Sequence, residues 1–170
     1  MVDSSITRAT PSDAEVLAEL GRETFVATFA HLYPPEDLRD FIAETYTPEA
    51  FAAAIEDPAH ALWLTQTDGR AIGYVQAGPC ALPHPDVTPE CGEVKRLYVR
   101  REHQHAGHGA ALFQAALDWL ARPGRVLWIG VWSNNHGAQR FYGRHGFEKV
   151  GEYQFAVGNT RDNEFILRRG

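Results

Sequence analysis

The stretch Glu93 to Leu120, EVKRLYVRREHQHAGHGAALFQAALDWL, constrains this chain more than any other. Val94, Leu97 and Val99 form an apolar, β-branched run that suits a buried strand. The polar stretch Arg100 to His105 leads to Gly107 and Gly109, after which Ala110, Ala111, Leu112, Ala115, Ala116, Leu117 and Leu120 recur at helical spacing. Strand, glycine loop and helix in that order make an anion cradle. The first helical turn leaves its N–H groups unpaired, and the helix dipole adds positive potential there. Glycines let the backbone approach a ligand closely, so the loop can hold a phosphate.

Several kinds of chain use such a loop, and the local letters separate them. A nucleoside-triphosphate loop needs Lys-Ser or Lys-Thr after its last glycine, and none follows Gly109. A dinucleotide fingerprint needs a third small residue, where this chain has Leu112. What remains is Gln104-x-x-Gly107-x-Gly109 after a strand ending Leu97-Tyr98-Val99. A second block, Asn135-x-x-Ala138-x-x-Phe141-Tyr142-x-x-x-Gly146-Phe147, follows the strand-like run Val126 to Val131. In this order and at this separation the two blocks resemble the acyl-CoA loop and the Asn-to-Tyr helix of the GNAT superfamily of N-acetyltransferases.

That resemblance implies an α/β single-domain fold over residues 1–170, with a mixed, mostly antiparallel central sheet flanked by helices. It implies acetyl-CoA as cosubstrate, its pyrophosphate held by backbone N–H groups of Gln104, His105, Ala106, Gly107, His108, Gly109 and Ala110. Leu97, Tyr98 and Val99 would pair through their backbone with the pantetheine arm, a recognition mode that leaves their side chains free to be apolar. Asn135 would cap its helix and also meet the pantetheine or thioester. Tyr142 would be the acid for the departing thiolate, against a plain reading as a half-buried helix aromatic. Glu93, at the head of the central strand, is a candidate general base or merely a solvated strand-start carboxylate. His105 and His108 depart from the family letters, where glycine and aliphatic residues are common, and the departure makes CoA affinity pH-sensitive.

His103, His105 and His108 also read as H-x-H-x-x-H. With no carboxylate partner, and placed where phosphate is expected, they decorate a phosphate loop rather than bind zinc, and no metal is expected. Cys80 and Cys91 have no metal spacing and read as reduced thiols. No long uncharged apolar run and no leader pattern in Met1 to Thr10 argue for a cytoplasmic protein without a membrane partner. A net charge of −6 disfavours nucleic acid and is compatible with a cationic substrate; a homodimer is admitted.

The remaining elements follow local signals. Ile6 to Ala9 reads as a strand, Ser12 or Asp13 as a cap, and Val16, Leu17, Leu20, Phe25 and Phe29 as a helix face. Pro34-Pro35 and Thr47-Pro48 open two more helices, and Asp68-Gly69 joins a hairpin. Late strands are expected near 147–155 and 164–167. The proline-rich loop 78–92 is long enough to be functional.

A closer likeness spans nearly the whole chain. Glu23-Thr24-Phe25 with Thr28-Phe29, Trp128 to Trp132, and Gly151-x-x-x-Phe155-x-x-Gly158-x-x-x-Asp162 resemble PaiA-type spermidine/spermine N-acetyltransferases. This implies a polyamine or similar small amine, with the early helices and loop 78–92 forming the acceptor pocket. Glu36, Asp37, Glu44 and Asp86 are either contacts for a polycation or a solvated acidic face. Two other classes stay open: acetylation of a peptide or protein N-terminus, and an acetyl-CoA sensor without catalysis. Intact Gln104, Gly107, Gly109, Asn135 and Tyr142 speak against the sensor.

Overall fold

The computed structural model describes residues 5–170; residues 1–4, part of the N-terminal stretch read above for a leader, lie outside it. The elements run β1 (Ser5–Arg8), α1 (Ala14–Phe29), α2 (Pro35–Thr45), α3 (Pro48–Glu56), β2 (Ala61–Thr67), β3 (Arg70–Pro79) and β4 (Gly92–Val99). Then follow α4 (His108–Leu120), β5 (Leu127–Trp132), α5 (His136–Arg144), β6 (Glu148–Val157) and β7 (Thr160–Arg169). The seven strands form one sheet in the order β1-β2-β3-β4-β5-β7-β6. Every neighbouring pair is antiparallel except β4 and β5. This is the mixed, mostly antiparallel α/β domain that the sequence implied. Among the described residues no helix is long and apolar enough to cross a membrane.

The parallel pair carries the functional architecture. β4 and β5 are paired only at Gly92–Leu127 and Glu93–Trp128, and α4 is the crossover between them. Beyond Glu93 the strands part, so Leu97 to Val99 and Gly130 to Trp132 border a gap in the sheet. β4 also carries one residue more than β3: Gln76 faces Arg96 but Ala77 faces Val94, which leaves Lys95 as the bulge. The bulge flips the alternation, placing Arg96 and Tyr98 on one face of the sheet and Leu97 and Val99 on the other.

Each face has its own core. Leu17, Leu20 and Phe25 of α1, with Phe51 of α3, pack on Leu62, Leu64 and Tyr74. Opposite them, Leu112, Phe113, Ala116 and Leu120 of α4 pack with Tyr142, Ile129 and Val131. The helix signals in the sequence hold with two corrections. Asp13 does not cap α1; its carboxylate accepts from the Thr10 backbone N–H at 2.8 Å and closes a short 3₁₀ turn begun by Pro11. Val16, counted in the apolar face, is 42% exposed and points to solvent.

Candidate functional site

The glycine loop is shaped by two left-handed residues, His105 at φ 64° and Gly107 at φ 89°. His105 therefore occupies a conformation that favours glycine, which accounts for its oddness in the motif. Gly107 is the N-cap of α4, and a Cβ added there would meet nothing within 4 Å. The space over Gly107, where the first turn of α4 begins, is therefore open. Ion pairs and hydrogen bonds fix the loop's base: Arg100 pairs with Glu23, Arg101 donates to the Ala27 carbonyl at 2.7 Å, and the Gln104 amide folds back onto the Val99 carbonyl at 3.0 Å. His108 is buried, with its ring 6.3 Å from that of His103, while His105 is exposed. No three potential metal-ligating side chains converge among the described residues.

A cavity of about 790 Å³ runs from Gln104, at the start of this loop, through the gap between β4 and β5; His105 to Ala110 are not in its lining. Leu97, Tyr98, Val99, Gln104, Asn135, Tyr142 and Glu93 all line it, so the structure brings the main sequence candidates to one place. Asn135 caps α5, its Oδ1 accepting from the Ala138 N–H at 3.0 Å, which leaves its NH₂ free. Tyr142 is buried among Phe113, Phe141 and Phe147. Burial, and then the charge of Glu164, push its hydroxyl up to about 12.

The acceptor half is built from α1, Tyr33, Phe41, Tyr46 and Ala81 to Pro83 of the long loop. Glu36, Asp37, Glu44 and Asp86 are absent from this lining, contrary to the polycation role considered for them. Asp37 accepts from the Thr160 hydroxyl at 2.7 Å and Asp86 pairs with Arg168 at 3.3 Å, so both are used in holding loops. Glu93 is buried rather than solvated. One of its oxygens accepts from both the Ala81 N–H at 3.0 Å and the Lys95 ammonium at 3.2 Å.

The carboxylate that sequence reading missed is Glu164. It stands in one row across the sheet, opposite Trp132 of β5 and Tyr153 of β6. The Tyr153 hydroxyl donates to it at 2.9 Å, and no cation pairs with it among the described residues. Room for it exists because Gly130 is bare: a Cβ there would lie 3.0 Å from the Tyr153 hydroxyl and 3.4 Å from Glu164 Oε2. Burial raises the Glu164 carboxyl above its ordinary range, and the nearby charges of Asp162 and Glu93 add to this while the Tyr153 hydrogen bond opposes it. Glu164 shares the row of Trp132, which packs on the α1 face, whereas Tyr142 packs with Ile129 and Val131 on the other face, and both line the gap.

A model of the acetyltransferase (GNAT) family matches residues 20–147. An uncharacterised N-acetyltransferase from the pepI 3′ region of Lactobacillus delbrueckii subsp. lactis is 30% identical over 99% of this chain and 98% of its own length. A spermidine N(1)-acetyltransferase of Thermoplasma acidophilum is 24% identical over 96% of this chain and 95% of its own. Among solved structures, the PaiA N-acetyltransferase of T. acidophilum in complex with coenzyme A superposes with a TM-score of 0.78 at 22% identity, covering 98% of both chains. With its splayed sheet, glycine loop and matched length, this chain belongs to the GNAT family and is an acetyl-CoA-dependent N-acetyltransferase.

Proposed function

We propose that the protein acetylates the primary amine of a small molecule by direct attack, with Glu164 as general base and Tyr142 as donor to the leaving sulfur. The observation that carries this reading is the meeting of Glu164 and Tyr142 at one gap from opposite faces of the sheet. Acetyl-CoA supplies an activated acetyl group. The backbone of residues 104–110 would hold its pyrophosphate, Leu97 to Val99 and the free Asn135 amide its pantetheine arm. The open space over Gly107, where the first turn of α4 begins, fits such a ligand.

An alkylammonium has a pKa near 10.4, so losing its proton at pH 7 costs about 4–5 kcal/mol. Glu164 takes that proton and passes it to solvent. The freed amine forms the C–N bond as the C–S bond breaks; its second proton ends on the sulfur. Glu93 is less available to a substrate amine, because one of its oxygens already accepts from both the Lys95 ammonium and the Ala81 N–H. Tyr142 stays protonated at neutral pH. Full transfer from a hydroxyl near 12 to a thiolate near 8.5 is uphill by about 5 kcal/mol, so Tyr142 acts chiefly by donating a hydrogen bond to the developing charge.

Polyamines are among the acceptors to be tried. A Thermoplasma relative carries spermidine in its name, and the walls of Phe25, Phe29, Tyr33, Phe41, Trp132 and Phe155 suit methylene chains and ammonium groups. The test is thiol release from acetyl-CoA with polyamines, other small amines and N-terminal peptides. Turnover with small amines is expected; turnover confined to peptides would overturn the reading. Tyr142→Phe should lower kcat by about 10- to 100-fold, the small end for a lost acid, with acetyl-CoA affinity unchanged by calorimetry. An unaltered kcat with chemistry rate-limiting would make Tyr142 structural.

The loop is tested separately. Gly109 lies in the first turn of α4, and a Cβ there meets only Val99 Cγ2 at 3.9 Å. Gly109→Ala should therefore keep or raise stability, by up to about 1 kcal/mol from lost chain entropy, while weakening CoA. A CoA affinity equal to wild type would move the pyrophosphate off this turn.

A further inference from the structure

The acceptor half of the cavity holds a cation that no carboxylate among the described residues answers. Four cationic side chains line the cavity: Lys95, Arg96, Arg100 and Arg101. Lys95 pairs with Glu93, Arg100 with Glu23, and Arg101 donates to the Ala27 carbonyl. Arg96 has no carboxylate within ion-pair distance among the described residues. Its guanidinium carbon lies 4.9 Å from the ring centroid of Tyr46 and 5.8 Å from that of Phe51, two side chains of the buried core. The other groups about it are the phenols of Tyr74 and Tyr98, of which the Tyr74 hydroxyl is placed to meet one of its N–H donors and leaves the others without an acceptor among the described residues. Directly opposite on β3 stands Gln76, only 9% exposed. Its amide also lines the cavity, and no hydrogen-bond partner for it exists among the described residues.

Stacking on aromatic rings satisfies the faces of a guanidinium and leaves its edge, where the N–H donors project in a planar fork. A charge withdrawn from water in this way is costly unless an anion or a set of acceptors meets it. A carboxylate meets the fork with two parallel hydrogen bonds, and a neighbouring amide adds a third donor. The bulge at Lys95 is what turns Arg96 onto the acceptor face, away from the face of Leu97 and Val99.

We infer that Arg96, with Gln76 beside it, anchors an anionic group of the acceptor, so that the substrate is a small amino-carboxylate, its amine at Glu164 and its carboxylate at Arg96. This rests on the amine-acetyltransferase reading above and deepens it. A polyamine offers Arg96 only another positive charge. A molecule with a cationic and an anionic end matches the two charges at the acceptor end that have no ion-pair partner among the described residues, Glu164 and Arg96.

The experiment measures thiol release at saturating acetyl-CoA with matched series: glycine, 4-aminobutyrate, 6-aminohexanoate and lysine, the amide of each, and diamines of the same lengths, with spermidine alongside. For at least one length, KM for the carboxylate should lie about 10- to 100-fold below that for its amide, the span of a lost charge-assisted hydrogen bond. Arg96→Gln should bring that ratio to about one while leaving acetyl-CoA affinity unchanged. Arg96→Lys, which keeps the charge and loses the fork, should fall between. Circular dichroism and melting confirm folding; if Arg96→Gln does not fold, the wild-type ratio and the Lys variant decide. Amides, diamines or spermidine turned over as well as every carboxylate would overturn the inference and leave the amine reading intact. No thiol release with any member would instead remove the amine reading itself.

Discussion

Glu164→Gln is expected to lower kcat/KM at pH 7 by about 10²–10⁴, the usual span for a lost general base. Acetyl-CoA affinity should not change, because the side chain sits on the acceptor face beside Gly130 and Tyr153. The pH profile distinguishes a lost base from a disturbed pocket. In the wild type the acidic limb reports Glu164 losing its proton, displaced above the ordinary carboxylate range by burial and by Asp162 and Glu93. In the variant that limb disappears, and the defect shrinks as pH rises toward the amine pKa, where free amine no longer needs a base. Glu93→Gln should cost less, since one oxygen of that carboxylate is already engaged by Lys95 and the Ala81 N–H. If Glu93→Gln removed the limb and Glu164→Gln left it in place, the base would be Glu93.

The same substitution has a stability consequence of definite sign. The fold raises the Glu164 pKa, so it favours the protonated form. Its contribution to stability is fully present below the unfolded carboxylate pKa and is lost as pH rises through the folded value. At neutral pH the charged carboxylate therefore works against the fold. Gln removes that charge and can still accept from the Tyr153 hydroxyl, so Glu164→Gln should be as stable as wild type or more so at pH 7. Loss of rate with no loss of stability is what a functional residue kept at a cost to the fold produces.

The glycine loop and the Asn135–Tyr142 helix were legible in the sequence because their signals are local. Gln104, Gly107 and Gly109 lie within six positions, and a strand before them and an apolar helix after them fix what the loop does. Asn135 and Tyr142 sit on one short helix, and the cap is readable from Asn alone. The acceptor half is assembled by register instead. Glu164 meets Tyr153 and Trp132 only because β7 pairs with β6 and β5 at that row. The one sequence sign was a carboxylate directly before Phe165, Ile166 and Leu167, where a buried strand has no ordinary use for charge. The last strand was read too short for a related reason: β7 spans ten residues, Thr160–Arg169, where 164–167 was expected, and its charged ends hide the alternation. Arg96 was hidden by the bulge, since uninterrupted alternation from Val94 would have placed it with Leu97's neighbours on the wrong face.

Phe113→Ala is the largest expected loss of stability, and it links the core to the site. Phe113 of α4 has no exposed surface. Its ring centroid lies 4.8 Å from that of His145, 5.2 Å from Phe141, 5.4 Å from Tyr142 and 6.0 Å from Phe147. It is thus the side chain through which α4, the helix after the glycine loop, grips α5, which carries Tyr142. Truncation to Ala should cost about 3–5 kcal/mol in lost burial and cavity formation. For a domain of this size that is a fall in Tm of roughly 6–20 °C. Phe113→Leu, closer in volume, should cost under about 1.5 kcal/mol. Because the cavity would open directly behind the Tyr142 ring, the Ala variant should also lose kcat at temperatures where it is still folded. Its acetyl-CoA affinity should fall less, since the first turn of α4 lies away from the lost contacts. Chemical denaturation with Phe113→Ala within about 1 kcal/mol of wild type would show that α4 and α5 are held together elsewhere.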